Sequence, residues 1–221
     1  MGLKNNPHER QDTTFATILA DGKIHVGVTE DTEGAVKREY ETSDGKKGAK
    51  WEHVYTELSG YIQSVDFHEG DYGVNLMLVV GDEDSEEKPV TLALSTSSTF
   101  GEDMMKKLPN INLKEGVTLT PFSFENEKGK KQRGIIVIQT SKKGEKTKIP
   151  NFYFDVEKKK VANGYPTAPA QPKTGKALTK SQWRKYFDEA REFLIADITE
   201  RFEIGEKEES DTDKEYNRLT K

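Results

Sequence analysis

Most of this chain reads as strands, and in several runs apolar and polar residues alternate with a period of two, which sends every second side chain to one face. "TTFATILADGKIHVGV" reads as two such runs around Asp21-Gly22, a type I′ hairpin signal. "AVKREYETSDGKKGAKWEHVYTELSGYIQSVDF" repeats the pattern, with Asp44-Gly45 as a second turn and a long strand predicted from Lys50 to Phe67. Gly60 interrupts that strand and predicts a bulge or sharp coil, by which one strand serves both sides of a closing barrel. "VNLMLVV" is almost continuously apolar and reads as a buried strand, and the acidic loop "GDEDSEEK" separates it from "PVTLALS". "GVTLTPFSF" and "RGIIVIQT" form a further hairpin across "ENEKGKKQ".

One stretch breaks the alternation. In "STFGEDMMKKLPNI", residues 98–111, Ser98 or Thr99 can cap a helix, and Glu102 and Asp103 suit its positive end. Lys106 and Lys107 suit its last turn, Pro109 stops it, and Met104, Met105 and Leu108 give it an apolar side. From Glu52 to Thr140 the predicted order is therefore three strands, one helix, two strands. That is the order of a five-stranded Greek-key barrel of the OB type, with the helix plugging the open end. A β-sandwich carrying one helical loop is the competing architecture.

After the barrel, "TKIPNFYFDV" predicts another strand or arm, and "GYPTAPAQPKTGKA" a Pro/Gly-rich linker. "TKSQWRKYFDEAREFLIADITERF" is a long helix, with Trp183, Phe187, Ala190, Leu194, Ile198 and Phe202 at helical spacing. The fold class expected is mostly β: an OB-like barrel at 50–160 behind an N-terminal β-hairpin extension at 1–49. A linker at 161–178, a C-terminal α-helix at 179–204 and an acidic flexible tail at 205–221 complete the expected organisation.

Composition narrows the chemistry. The chain has 221 residues and no cysteine, which removes disulfides, thiolate zinc sites and thiol nucleophiles together. The N-terminal stretch is polar, Asn6 stands where a myristoylation signal needs Ser or Thr, and no run approaches a membrane span, so a soluble cytoplasmic protein is expected. His8, His25, His53 and His68 are scattered without metal-ligand spacing, and "GDEDSEE" lacks the glycine and glutamate of a calcium loop. No nucleophile elbow, Walker A or dinucleotide fingerprint occurs. A non-enzyme without cofactor or metal is the expectation.

The net charge of −5 hides an asymmetry: residues 127–160 hold eleven Lys/Arg against four acids. Lysines at hairpin tips and edge strands are ordinary solvation. In an OB barrel, however, the turn carrying Lys128, Lys130, Lys131 and Arg133 is one of two loops that flank the ligand groove. Tyr72 lies beside the other loop, Phe122 and Phe124 approach the basic turn, and Phe152 and Tyr153 follow it, with Lys142 and Lys143 as further cations. Trp51 and Tyr55 share a strand face in the polar context "KWEHVYTE". Cations that track phosphates beside rings that stack bases are what single-stranded nucleic acid requires.

Taken together, "YIQSVDFHEGDYGVNLMLVV", "STFGEDMMKKLPNI", "TPFSF" and "NFYFD" resemble phage-encoded OB-fold single-stranded-DNA-binding proteins over roughly residues 50–160. The resemblance implies coating and protecting single-stranded DNA in phage replication or recombination. It also implies replication or recombination proteins as partners, through the C-terminal helix or the acidic tail, with homo-oligomers left open. The chain ends in "YNRLTK", unlike the acidic-hydrophobic tip of bacterial members. The alternative from another class is a phage virion or assembly protein that uses the same barrel for protein contacts, and a third is an inhibitor whose acidic surface mimics DNA.

Overall fold

In the computed structural model, residues 13–42, 45–70, 73–82, 87–170 and 177–204 are described. Chain order runs β1 (Thr14–Ile18), β2 (Ile24–Val28), β3 (Val36–Glu41), β4 (Lys47–Tyr55), β5 (Leu58–Gly70), β6 (Gly73–Gly81) and β7 (Val90–Ser95). Helix α1 (Thr99–Met105) and a 3-10 turn (Leu108–Asn110) follow, then β8 (Gly116–Glu125), β9 (Lys131–Thr140), β10 (Lys146–Lys148), the small pair β11 (Phe154–Asp155) and β12 (Lys160–Val161), and α2 (Lys180–Arg201). The protein is mostly β, as the alternation predicts, with α1 and α2 at the two expected places.

Ten strands form one sheet in the order β10-β9-β8-β5-β6-β7-β1-β2-β4-β3. The five strands expected to make a barrel, β9-β8-β5-β6-β7, run consecutively within it, but the sheet does not stop at five. β7 pairs in parallel with β1, Thr14 to Val90 through Thr17 to Ala93, and among the described residues no pairing joins β7 to β9. The N-terminal strands thus continue the same sheet from its β7 side. The tip of the β1–β2 turn meets β8: a Cβ at Gly22 would lie 2.4 Å from the Ser123 backbone N.

Gly60 does what its position predicts. Residues 58–60 of β5 pair with β8 and residues 61–70 with β6, so the strand changes partner at this glycine, whose φ is +153°. A register shift between Ile62 and Ser64 adds the bulge. The long strand predicted from Lys50 is in fact two, because the chain breaks at Thr56-Glu57 and residues 50–55 belong to β4, between β2 and β3.

The predicted type I′ turn at Asp21-Gly22 is corrected as well. Leu19 and Lys23 close a longer loop, with the Gly22 N–H donating to Leu19 O and the Leu19 N–H to Lys23 O, and only the glycine has positive φ, +75°. Residues 126–130 and 141–145 close the same way, with Gly129 at +70° and Gly144 at +81°. These are three-residue loops in which a type I turn ends in a left-handed glycine. The aligned strings "LADGK", "NEKGK" and "SKKGE" show glycine at the fourth place each time.

Helix α1 packs against β6, β7 and β9. Ser98 caps it by accepting from the Gly101 N–H, and Met104, Met105 and Leu108 are fully buried. On the opposite side Asp103 accepts the Ile135 N–H at 2.7 Å, while Lys107 donates to Ile135 O at 2.5 Å and to Asp103 at 2.7 Å. Asp103 and Lys107 therefore satisfy β9 backbone groups just beyond the stretch that β10 pairs, Lys146–Lys148 against Ile138–Thr140. Helix α2 docks behind α1 through buried Ala190, Leu194 and Ile198. Its capping box joins Thr179 and Gln182. No helix among the described residues is long and apolar enough to cross a membrane.

Candidate nucleic-acid interface

On β8, Val117, Leu119 and Pro121 turn into the core, so Phe122 and Phe124 share the opposite face with Thr118 and Thr120. Phe124 is 56% exposed, and its ring lies 5.7 Å from that of Phe122, which is half-buried. The Phe122 ring lies over Gly134, where a Cβ would come within 3.0 Å of it and within 2.7 Å of the Asp103 carboxylate. Core packing is the usual fate of a strand phenylalanine, and here Phe124 departs from it.

β8 then runs directly into the basic turn. Asn126 Oδ1 accepts from the N–H groups of Lys128 and Lys130, each at 3.0 Å, which fixes the loop and leaves Lys128, Lys130 and Lys131 exposed. Arg133 sits lower, half-buried, with Nε donating to Ser123 Oγ at 3.3 Å. Two aromatic rings and four cations of the expected set thus occupy one end of the β8–β9 hairpin.

The rest of the set is dispersed. Lys142 and Lys143 are exposed in the β9–β10 turn, at the other end of ten-residue β9, on the order of 30 Å from the basic turn at ~3.3 Å per residue. Tyr72 lies outside the described residues. Trp51, half-buried, and Tyr55, 47% exposed, do share a face of β4, where Tyr55 makes an edge-on contact with His53 at 6.2 Å. β4 is separated from β8 in the sheet order by β5, β6, β7, β1 and β2.

Tyr153 is corrected outright: it is 1% exposed and serves as core, not as a stacking platform. Its ring packs against Tyr165 and Phe193, and its hydroxyl donates to Asp197 of α2 at 2.5 Å. Burial, reinforced by that carboxylate, raises the Tyr153 pKa well above the ordinary phenol value. Burial pushes the Asp197 carboxyl up, yet the hydrogen bonds from Arg201 and Tyr153 prevail and hold it below the usual range. Phe152, half-buried beside it, is covered by the Arg201 guanidinium 4.7 Å from the ring centre.

Sequence reasoning missed one polar cluster. Glu52, 5% exposed, takes Arg38 Nε at 2.8 Å and Arg38 Nη2 at 2.7 Å, and His25 Nδ1 lies 2.8 Å from it. The other ring nitrogen of His25 faces Asp21 at 3.1 Å. The bidentate Arg38 commits this carboxylate to an ion pair, and among the described residues no group of three His, Asp or Glu side chains is arranged to hold a metal ion.

Comparison with protein-family models, with curated proteins and with solved structures finds no match to this chain.

Proposed function

We propose that this protein binds single-stranded DNA through an OB-type core, largely without sequence preference, and coats and protects exposed strands in phage replication or recombination. The observation that carries the proposal is the exposed Phe124, beside Phe122, on the strand that leads into Lys128, Lys130 and Lys131. Stacking rings and phosphate-tracking cations side by side are the two components such binding combines. The strand order β9-β8-β5-β6-β7, with α1 between its third and fourth members in sequence, supports an OB-type core. In that topology the β8–β9 turn flanks the ligand groove.

Phe124→Ala tests the stacking half. It removes a ring that is mostly in solvent, so the fold should survive unchanged. Fluorescence titration with labelled oligo-dT should show binding weakened by roughly 1–3 kcal/mol, with the salt dependence of binding preserved. Unchanged affinity would remove Phe124 from the interface and with it the observation on which the proposal stands.

A further inference from the structure

The apolar stripe of α2 changes character halfway along. Ala190, Leu194 and Ile198 are buried against the body, whereas Trp183 is 38% and Phe187 48% exposed. Their rings stack on each other, 5.8 Å apart and inclined by 24°. An open groove of about 580 Å³ runs past them, lined also by Lys180, Arg184, Arg191, Asp188 and Ser97. Asp188 contacts Arg191 at 3.0 Å and Arg184 at 4.0 Å, so three cations face one acid and the groove keeps a positive surplus.

Ser97 also lines a second open groove, of about 370 Å³, which is lined as well by Arg133 at the foot of the basic turn. One exposed residue, Ser97, thus borders both the groove that reaches Arg133 and the groove along the aromatic pair on α2.

We infer that a single strand held at the Lys128–Arg133 turn continues across Ser97 onto α2, where Trp183 and Phe187 stack bases and Lys180 and Arg184 meet phosphates. This rests on the proposed DNA binding and adds a second contact to it. The charge surplus and the continuity with Arg133 favour nucleic acid over a protein segment as the occupant.

The test compares the full chain with a Trp183→Ala/Phe187→Ala variant on oligo-dT of about 8 nucleotides, within the ~4–16 that one such domain occupies, and of about 20, beyond it. Both proteins should bind the short oligonucleotide equally, and the variant should bind the long one roughly tenfold more weakly. In a Trp51→Phe background Trp183 is the sole tryptophan, and its emission should be quenched by the long strand and not by the short one. Lys180→Ala/Arg184→Ala, on exposed side chains, should lower the salt slope for the long strand by about 1.4, at ~0.7 per contact. Equal long-strand affinity with unquenched Trp183 would overturn the inference while leaving the basic-turn site intact. A wild-type chain that binds neither oligonucleotide at low salt would instead remove the DNA-binding proposal, and this inference with it.

Discussion

Truncating Leu108 to alanine should lower the unfolding free energy by about 2–5 kcal/mol, the range for removing a buried leucine from a well-packed core. Leu108 is fully buried with Met104 and Met105, in the turn that ends α1. That turn touches α2, and α1 itself touches β6, β7, β9 and α2. Collapse of these elements into the hole is limited, because they are also held by Asp103 and Lys107 on Ile135 and by Tyr153 on Asp197. Denaturant titration should show a lower midpoint with an unchanged slope and a single transition by both far-UV and tryptophan signals. A loss below about 1 kcal/mol would mean that Leu108 does not anchor the α1 region in this core.

Glu52→Gln should cost roughly 3 kcal/mol at neutral pH, the low end of the range for breaking a buried ion pair, because the Arg38 side chain is 35% exposed and can partly rehydrate. The hydrogen bonds from Arg38, with a smaller contribution from His25, hold the Glu52 carboxyl below the usual carboxylate range. A folded-state pKa depressed below the unfolded one stabilises the protein above the unfolded value, about 4.3, and that contribution fades as pH falls through the folded value. The gap between wild type and Glu52→Gln should therefore be full at pH 7 and shrink as the pH falls below about 4. A gap that is constant with pH, measured by denaturant titration across that window, would show that Glu52 is not the titrating partner.

Much of this architecture could be read from the chain because its signals are local. Ser98, Met104, Met105 and Leu108 lie within eleven residues and announce a capped amphipathic helix that must cover something. Gly60 marks the partner change of β5 because only a residue without a side chain fits a backbone at φ +153° beside Gly81. What escaped depends on contacts between distant residues. Nothing near Thr14–Thr17 says that it pairs in parallel with Val90–Ala93, and alternation cannot say where a sheet stops adding strands. The break at Thr56-Glu57 is hidden because no Gly, Pro, Asn or Asp stands at it to mark a turn.

The candidate site divides along the same line. Lys128, Lys130 and Lys131 lie in one turn, so their proximity follows from sequence. Lys142 and Lys143 are close in number, yet a ten-residue strand carries them to the opposite end of the hairpin. "NFYFD" alternates like an exposed arm, and it is Tyr165 together with the docking of α2, some forty residues later, that buries Tyr153. That same docking covers Ala190, Leu194 and Ile198 and leaves Trp183 and Phe187 outside, a division that a uniform apolar stripe does not reveal.

DNA binding at the basic turn is tested most directly by the salt dependence of oligo-dT affinity, measured for the wild type and for Lys128→Ala/Lys130→Ala/Lys131→Ala. Each phosphate contact to a single strand contributes about 0.7 to the slope of log K against log salt, so the triple variant should bind more weakly with a slope smaller by about 2. All three side chains are solvent-exposed, so stability should not change and the comparison isolates binding. A wild-type protein that binds no oligo-dT at low salt, or a variant that keeps the wild-type slope, would contradict strand binding at this turn and leave an assembly role built on protein contacts as the better account.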